Sequence, residues 1–380
     1  MKLSAGLFLK IAAVAVCVST GAAFGQTDIT GKFRDARFRA VIYGKIDKKA
    51  PAQIFDTDVS GITEINVGNG KISDLSGIEY LTALTYLYCS GNVIIALDVS
   101  KNTALTYLYC KDNKLTMLDV SKNPALADLY CDGNLLTALD VSANIALKRL
   151  VCAGNQLTAL DVSKDTALTH LDCSGNQLTA LDVSKNPMLA ELHCRNNQLT
   201  ALDVSKNPAL AKLDSYNNKL AALDVSKNPA LTMLHCHANR LTALDVSKNP
   251  ALDTLNCSDN QLTVLDVSKN AALKWLNCYG NRLTVIDVTK NPALAELNCS
   301  DNQLTALDVL RNPALVKLKC ARNQLVTLNV SKNPALVKLR VDRNYLVAEN
   351  DVFGLNKQTL KKFKFAPQRA KAATRSTAKK

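Results

Sequence analysis

The sequence predicts a β-rich solenoid in which similar coils of 21 residues stack along one axis. Cysteine recurs every 21 residues, and its neighbours recur with it, as in the coil LTALDVSKNPALDTLNCSDNQ at 241–261. Within each coil the apolar residues follow the spacing L-x-x-L-x-C, which is typical of a short strand with one buried side. A copied unit of this size buries its apolar side only against the next copy, so we expect a rod rather than a globule.

Each coil contains two similar halves. Leu115-x-x-Leu118-x-Val120-x-x-Asn123 repeats the spacing of the half that precedes it. A coil of 21 residues is too short for two strands, two turns and a helix of the usual length of about 11 residues. We therefore expect parallel sheets on both walls, and strands about 4.8 Å apart on either wall predict a weakly curved rod.

The motif resembles the leucine-rich repeat. It reads L-x-x-L-x-C-x-x-N-x-L, for example at Leu105, Leu108, Cys110, Asn113 and Leu115. The nested halves look like the short bacterial class of leucine-rich repeat called IRREKO. The first coil, Ile62-x-x-Ile65-x-Val67, lies 22 residues before its successor and resembles the coils of internalin-type proteins. The resemblance implies a secreted or surface-exposed interaction protein.

The chain divides into five predicted segments. Residues 1–25 are typical of a signal peptide, with Lys2, an apolar stretch and a small-residue cleavage site before Gln26. We therefore expect export by a cleavable signal to the extracellular surface or medium, with the periplasm as the alternative destination. The remaining predicted segments are an N-terminal cap at 26–60, the repeat solenoid at 61–345, a C-terminal cap at 346–368 and a basic, disordered tail at 369–380.

Helical spacing of apolar residues from Phe33 to Ile42 predicts a short capping helix at the N-terminal end. At the other end, five apolar residues are expected to close the last coil: Phe353, Leu355, Leu360, Phe363 and Phe365.

Inward-facing columns explain most of the repeated residues. The cysteines occupy positions 89, 110, 131, 152, 173, 194, 236, 257, 278, 299 and 320, and Ser215 takes their place in one coil. Strands about 4.8 Å apart hold the cysteines beyond the mean Cβ separation of about 3.8 Å in a disulfide, so we expect free thiols that pack as small hydrophobic groups. Two asparagine columns, Asn92 to Asn344 and Asn102 to Asn333, are expected to bond backbone groups of the turns, with Asp165 interrupting the second.

The net charge is +13, and nine basic residues but no acidic ones follow Asp351. The tail either keeps the rod soluble or attracts it loosely to anionic surfaces. It lacks the aromatic residues that stack on bases, so we expect no specific binding to nucleic acid. After the leader, no stretch is apolar for long enough to span a membrane.

The residues that vary from coil to coil lie on the outer side of the predicted first strand. They change along the rod from tyrosine-rich to histidine and acidic, then to asparagine with Trp275, and finally to basic. Exposed aromatic residues on a rigid sheet favour recognition, although tyrosine is also simply a good strand residue. The predicted binding face comprises Tyr86, Tyr88, Tyr107, Tyr109, Tyr130, His170, Asp172, His193, Asp214, His235, Trp275 and Tyr279.

His193, Asp214 and His235 are consecutive in one column of this face. Such a set could hold a divalent metal or sense pH, and chance clustering on a variable surface is the alternative. We expect no metal and no cofactor. We also expect no enzyme, because the sequence contains neither a convergent Ser/His/Asp set nor a glycine-rich phosphate loop.

Two functional hypotheses remain open. The first is a monomeric binding protein whose variable face recognises a protein or glycan on a host or neighbouring cell. The alternative is a structural or self-associating envelope component that is retained by electrostatic contact.

Overall fold

The structure is a computed structural model that describes residues 25–370. It is a parallel β-solenoid with one 15-stranded sheet along the rod. The predicted signal peptide, up to residue 24, and residues 371–380 of the predicted tail lie outside the described residues. The segment boundaries proposed from the sequence stay predictions.

The strands of the main sheet are three residues long and follow the chain order. They are β1 (Glu64–Asn66), β2 (Tyr86–Tyr88), β3 (Tyr107–Tyr109), β4 (Asp128–Tyr130), β5 (Arg149–Val151), β6 (His170–Asp172), β7 (Glu191–His193), β8 (Lys212–Asp214), β9 (Met233–His235), β10 (Thr254–Asn256), β11 (Trp275–Asn277), β12 (Glu296–Asn298), β13 (Lys317–Lys319), β15 (Lys338–Arg340) and β17 (Lys362–Lys364). A separate pair consists of β14 (Leu328–Asn329) and β16 (Val352–Phe353).

The register of the main sheet follows the sequence period. Tyr86 pairs with Tyr107 at a step of 21 residues, whereas Glu64 pairs with Tyr86 at a step of 22. The central leucine of each coil is buried, and the residues on either side of it point outward. This alternation is what the L-x-x-L-x-C spacing predicts, so the repeat fold with 21-residue coils is confirmed.

The second wall, formed by the half of each coil that contains Leu118-x-Val120 and its equivalents, differs from the expected continuous sheet. Within residues 25–370, its only ladder is β14 with β16, and two isolated bridges join Asp98 to Asp119 and Asp308 to Asn329. A continuous second sheet is therefore not formed. The weak curvature of the rod stays a prediction.

In the second wall, turn and side-chain hydrogen bonds take up backbone groups that a ladder would otherwise pair. The Asp119 carboxylate accepts the N–H of Ser121 at 2.8 Å, and the Val120 carbonyl accepts the N–H of Asn123 at 3.0 Å. The first bond lowers the pKa of Asp119. The aspartate column is thus a series of turn-forming acceptors.

The first asparagine column joins neighbouring coils at the turn that follows each strand of the main sheet. Asn113 donates from Nδ2 to the carbonyls of Cys89 and Cys110, both at 3.0 Å. Its Oδ1 accepts the N–H of Ile94 in the preceding coil at 3.1 Å. The amide thereby satisfies backbone groups that have no partner in the sheet, as the sequence predicts.

The second asparagine column also bonds backbone groups of neighbouring coils, but its members use only their amino groups. Asn144 donates to the carbonyls of Val120 at 3.0 Å and Asn123 at 2.9 Å, while its Oδ1 is buried without a partner. Asp165 occupies this column and lacks the amino group. Both of its carboxylate oxygens are buried without a hydrogen-bond partner, and burial raises its pKa to about 7, with Asp161 and Asp140 adding repulsion.

The cysteine column is buried and unpaired, as predicted. The eleven cysteines from Cys89 to Cys320 are free and inaccessible to solvent. Burial alone raises the pKa of Cys236 to about 12, so its thiol stays protonated at neutral pH. Ser215 continues the column and is also buried.

Additional elements close the two ends of the solenoid. Helix α1 (Ala36–Lys45) buries Phe38 and Ile42, and a short helix α2 (Asp56–Val59) follows it. Asp35 caps α1 by accepting the N–H groups of Arg37 and Phe38. Asp35 also accepts the N–H of Ser73 at 2.9 Å, which links the helix to the first coil. Turns of 3-10 helix lie at Thr30–Lys32, Ile78–Tyr80 and Glu349–Asp351.

At the C-terminal end, Phe363 pairs in register with Leu339 and packs partly against the core. Phe353 differs from the expectation, because its side chain is 53% exposed. Its contribution is a backbone carbonyl that accepts the N–H of Val330 at 2.8 Å. Its strand neighbour Val352 takes the inward position instead.

We expect Asp165→Asn to stabilise the protein at neutral and alkaline pH. The folded-state pKa of about 7 lies above the ordinary value of 3.8, so ionisation opposes folding increasingly between these values and fully above pH 7. The pH-dependent part of the gain is up to about 4 kcal/mol at pH 8 and should vanish below pH 4, where only the hydrogen bonds donated by the new amide remain. Denaturant unfolding across pH measures it, and a gain independent of pH would contradict the assignment to charge.

We expect the ladder thiols to resist an aromatic disulfide reagent at pH 8 in the native protein. Their burial and raised pKa values suppress both access and thiolate formation. The same chain in guanidinium chloride should react completely, which serves as the control. Rapid labelling of several ladder thiols without unfolding would contradict the prediction, because it would show that the reagent reaches the cysteine column in the folded protein.

Candidate binding face

The outward side chains of the main sheet form one continuous surface, here called the variable face. Strand β2 illustrates its construction, because Tyr86 and Tyr88 are half-buried around the fully buried Leu87. All twelve residues predicted for binding lie on this sheet or directly beside it. The short, hydrogen-bonded strands hold the backbone rigidly, so the Cα positions of the outward side chains are fixed.

The five predicted tyrosines come together at the N-terminal part of the face. Their central member is Tyr109, whose ring lies 5.5 Å from Tyr86, 5.9 Å from Tyr88 and 4.7 Å from Tyr130. The last pair is stacked, with an interplanar angle of 17°. Burial raises the pKa of Tyr109 to about 12, and nearby Asp128 adds repulsion. Tyr107 remains 40% exposed beside it.

The middle of the face holds a cluster of histidines and acids, here called the histidine cluster. Its members are His170 on β6, Glu191 and His193 on β7, and Asp214 on β8. One Glu191 oxygen, Oε2, lies 3.2 Å from His170 Nδ1 and 3.8 Å from His193 Nε2. The other oxygen, Oε1, accepts a hydrogen bond from Lys212 Nζ at 2.9 Å.

Asp214 supports this cluster from a nearly buried position, with 3% of the residue exposed. Its Oδ2 accepts from Arg195 at 3.2 Å and lies 3.7 Å from His193 Nδ1. The interaction with Asp214 raises the pKa of His193, whereas burial lowers the pKa of His170. Two histidines on adjacent strands therefore have different protonation preferences.

His193, Asp214 and His235 are consecutive in the sheet register, as the sequence predicts, but the metal-ligand geometry lies elsewhere. His235 belongs to a separate group with His237 and Trp275, each 6.2 Å away between ring centroids. Among the described residues, the His/Cys/Asp/Glu set close enough to hold a metal is His170, Glu191 and His193. The hypothesis of a His193–Asp214–His235 site is thus replaced by a trio that includes Glu191.

The predicted face included Tyr279, which directly follows Cys278, but left out Arg195, Tyr216 and His237 at the same position of other coils. Tyr216 stacks on His237 with ring centroids 4.2 Å apart, and Arg195 lies 5.7 Å from the Tyr216 ring. These residues lie along one edge of the variable face. Their signal was present in the sequence, because this position varies between coils as the strand positions do.

The remaining predicted residues are more isolated. Tyr279 lies away from the tyrosine cluster, where nearby Asp301 raises its pKa. The Asp172 carboxylate accepts the N–H of Ser174 at 3.0 Å and therefore has a local structural role. The C-terminal strands carry Lys317, Lys319, Lys338 and Arg340, so the face ends in a basic region. Burial and the neighbouring cations lower the pKa of Lys319.

The sequence and the fold of this chain were compared with those of known proteins. No family model matches the chain. Internalin J of Listeria monocytogenes serotype 4b (strain F2365) is 39% identical over 94 residues, which are 24% of this chain and 10% of internalin J. The structure of the functional domain of internalin J, described as including a cysteine ladder, is 38% identical with a TM-score of 0.76. That match covers 84% of this chain and 76% of the solved one.

This chain is an internalin-like leucine-rich-repeat protein. Internalin F of Listeria monocytogenes strain F2365 supports the fold, with 24% identity, a TM-score of 0.75 and coverage of 91% of this chain and 100% of that one. A plant peptide hormone receptor, RGFR1 in complex with RGF2, shares the fold at 18% identity and a TM-score of 0.72. That match covers 82% of this chain and 56% of the receptor.

The sequence match to internalin J involves only about a tenth of that protein's length. The likeness therefore establishes the repeat scaffold and leaves partners to be proposed. Within residues 25–370, no helix is both long enough and apolar enough to cross a membrane.

We expect Arg195→Met to destabilise the protein by about 1–3 kcal/mol, because it leaves the buried Asp214 carboxylate without its cation. Thermal or denaturant unfolding measures the loss. Lys185→Met is the matched control, since Lys185 is exposed and forms no ion pair within the described part of the chain. The double variant Arg195→Met/Asp214→Asn should recover most of the stability. No recovery would show that uncompensated charge is not the cause.

Proposed function

We propose that this internalin-like protein binds a protein partner outside the cytoplasm through its variable face. The observation that carries the proposal is the tyrosine cluster around Tyr109, which presents several aromatic rings on a rigid sheet. Aromatic side chains of this kind supply large contact areas at a small cost in conformational entropy. They are also enriched among the residues that dominate binding energy.

The distribution of charge along the face supports a partner with a matching pattern. The tyrosine cluster is largely uncharged, the histidine cluster contains both acids and bases, and the strands from Lys317 to Arg340 are strongly basic. A partner that contacts the whole face would need an acidic region opposite these last strands. Such complementarity fixes the orientation and increases the association rate.

Family relationships support binding as the role of this scaffold. The internalin-like repeat is an interaction scaffold, and the plant receptor in complex with RGF2 shares its architecture. Location outside the cytoplasm is supported by the signal-peptide pattern of residues 1–25. A glycan is the other ligand class that an aromatic-rich surface can serve. The absence of enzymatic activity stays a prediction.

The triple variant Tyr88→Ala/Tyr109→Ala/Trp275→Ala tests the binding face. We expect it to lose at least about 2 kcal/mol of binding free energy toward proteins displayed on target cells, because truncating a buried aromatic contact typically costs that much. Labelled chain bound to intact cells gives the affinity. Protease treatment of the cells should abolish binding by the unmodified chain, whereas sensitivity to periodate alone would indicate a glycan.

A matched control is available on the second wall. Met117→Ala/Val264→Ala/Val285→Ala removes three exposed apolar side chains, which are 75%, 70% and 67% accessible. This variant should bind like the unmodified protein. Equal loss in both triple variants, or concentration-dependent self-association in analytical ultracentrifugation that only the second-wall variant abolishes, would contradict the proposal.

A further inference from the structure

The histidine cluster combines ligand types that suit a transition metal. His170, Glu191 and His193 each offer one ligand atom, and these three atoms all lie within 4.8 Å of one another. Two imidazoles and one carboxylate form a ligand set used by zinc and by other first-row divalent metals. Calcium and magnesium prefer sets made only of oxygen.

The separations fit a common metal centre. Zinc lies about 2.0–2.2 Å from nitrogen and oxygen ligands, so two ligands at a tetrahedral angle are about 3.4 Å apart. The observed distances from Glu191 Oε2 are 3.2 Å to His170 and 3.8 Å to His193. Small rotations of the side chains would bring all three atoms to bonding distance.

The sheet register explains why the three ligands converge. His170 on β6 pairs directly with Glu191 on β7, and His193 lies two residues after Glu191 on the same side of the strand. All three side chains are neither fully buried nor fully exposed. His170 and Glu191 border a depression of about 410 Å³ that Tyr130 and Arg149 also line, so an ion has access to these two ligands from solvent.

A second layer of side chains orients one of the ligands. His193 Nδ1 lies 3.7 Å from Asp214 Oδ2, which leaves Nε2 directed toward Glu191. Carboxylates placed in this way fix the orientation of metal-binding histidines and increase their basicity. Arg195 in turn holds Asp214 at 3.2 Å. Lys212 acts in the opposite sense, because its ammonium group occupies the other oxygen of Glu191 at 2.9 Å.

We propose that His170, Glu191 and His193 bind a divalent transition-metal ion of the zinc class on the variable face. The inference does not depend on the proposed protein partner, since the three ligands all come from this chain. Lys212 opposes metal binding, both by its charge and by its bond to Glu191.

Isothermal titration calorimetry of the full chain with zinc chloride, in excess calcium, tests the site. We expect one site per chain, and each of His170→Ala, Glu191→Gln and His193→Ala should weaken it by at least about tenfold. Lys212→Met should tighten it. Cobalt as a spectroscopic probe should show nitrogen and oxygen ligation without thiolate charge transfer, because the cysteines are buried.

His235→Ala is the matched control, because it removes a histidine of the same face that lies outside the trio. Its affinity for zinc should equal that of the unmodified chain. Weaker binding by His235→Ala together with unchanged binding by His170→Ala would overturn the proposal in favour of another site. Unchanged affinity in Lys212→Met, or absence of saturable zinc binding, would also overturn it. Circular dichroism of each variant confirms that the comparison is between folded proteins.

Discussion

The inward asparagine side chains are the interaction on which the solenoid depends. Each coil must turn twice to pass between its walls, and the backbone groups of these turns cannot join the sheet. Asn113 resolves this by bonding two carbonyls and one N–H, which belong to two successive coils. Because each amide fixes its own coil relative to the preceding one, the same bonds that satisfy the turns also set the register.

Because the register is fixed, the position of each outward side chain on the variable face follows from its place in the repeat. Leucine, valine and cysteine fill the interior of the repeated coils, with Ser215 in place of one cysteine, so outward positions can change without disturbing the packing. The tyrosine cluster, the histidine cluster and the basic end are therefore three chemically different regions on one scaffold. A repeat protein of this kind gains its specificity from side chains rather than from changes in its backbone.

Two departures from the repeat place an acidic side chain in a buried position. Asp165 replaces a donor with a buried carboxylate, and nothing in its surroundings offers a compensating cation among the described residues. Asp214 is also nearly buried, but it is paired with Arg195 and directed toward His193. Of these two buried acids, Asp214 has a cation from the neighbouring coil and Asp165 has none among the described residues.

The repeat period, the inward leucines and cysteines, and the role of Asn113 followed from the sequence alone. In a stacked solenoid a local pattern copied many times is also the global pattern, so period and alternation are sufficient. The tertiary structure decided how side chains meet between coils. Glu191 lies between two histidines because β6 and β7 are in register, and Phe353 stays exposed because Val352 takes the inward place. The second wall lacks a continuous sheet, and turn bonds and asparagine side chains take up backbone groups there instead. Contacts between side chains of different coils depend on packing that a linear pattern does not encode.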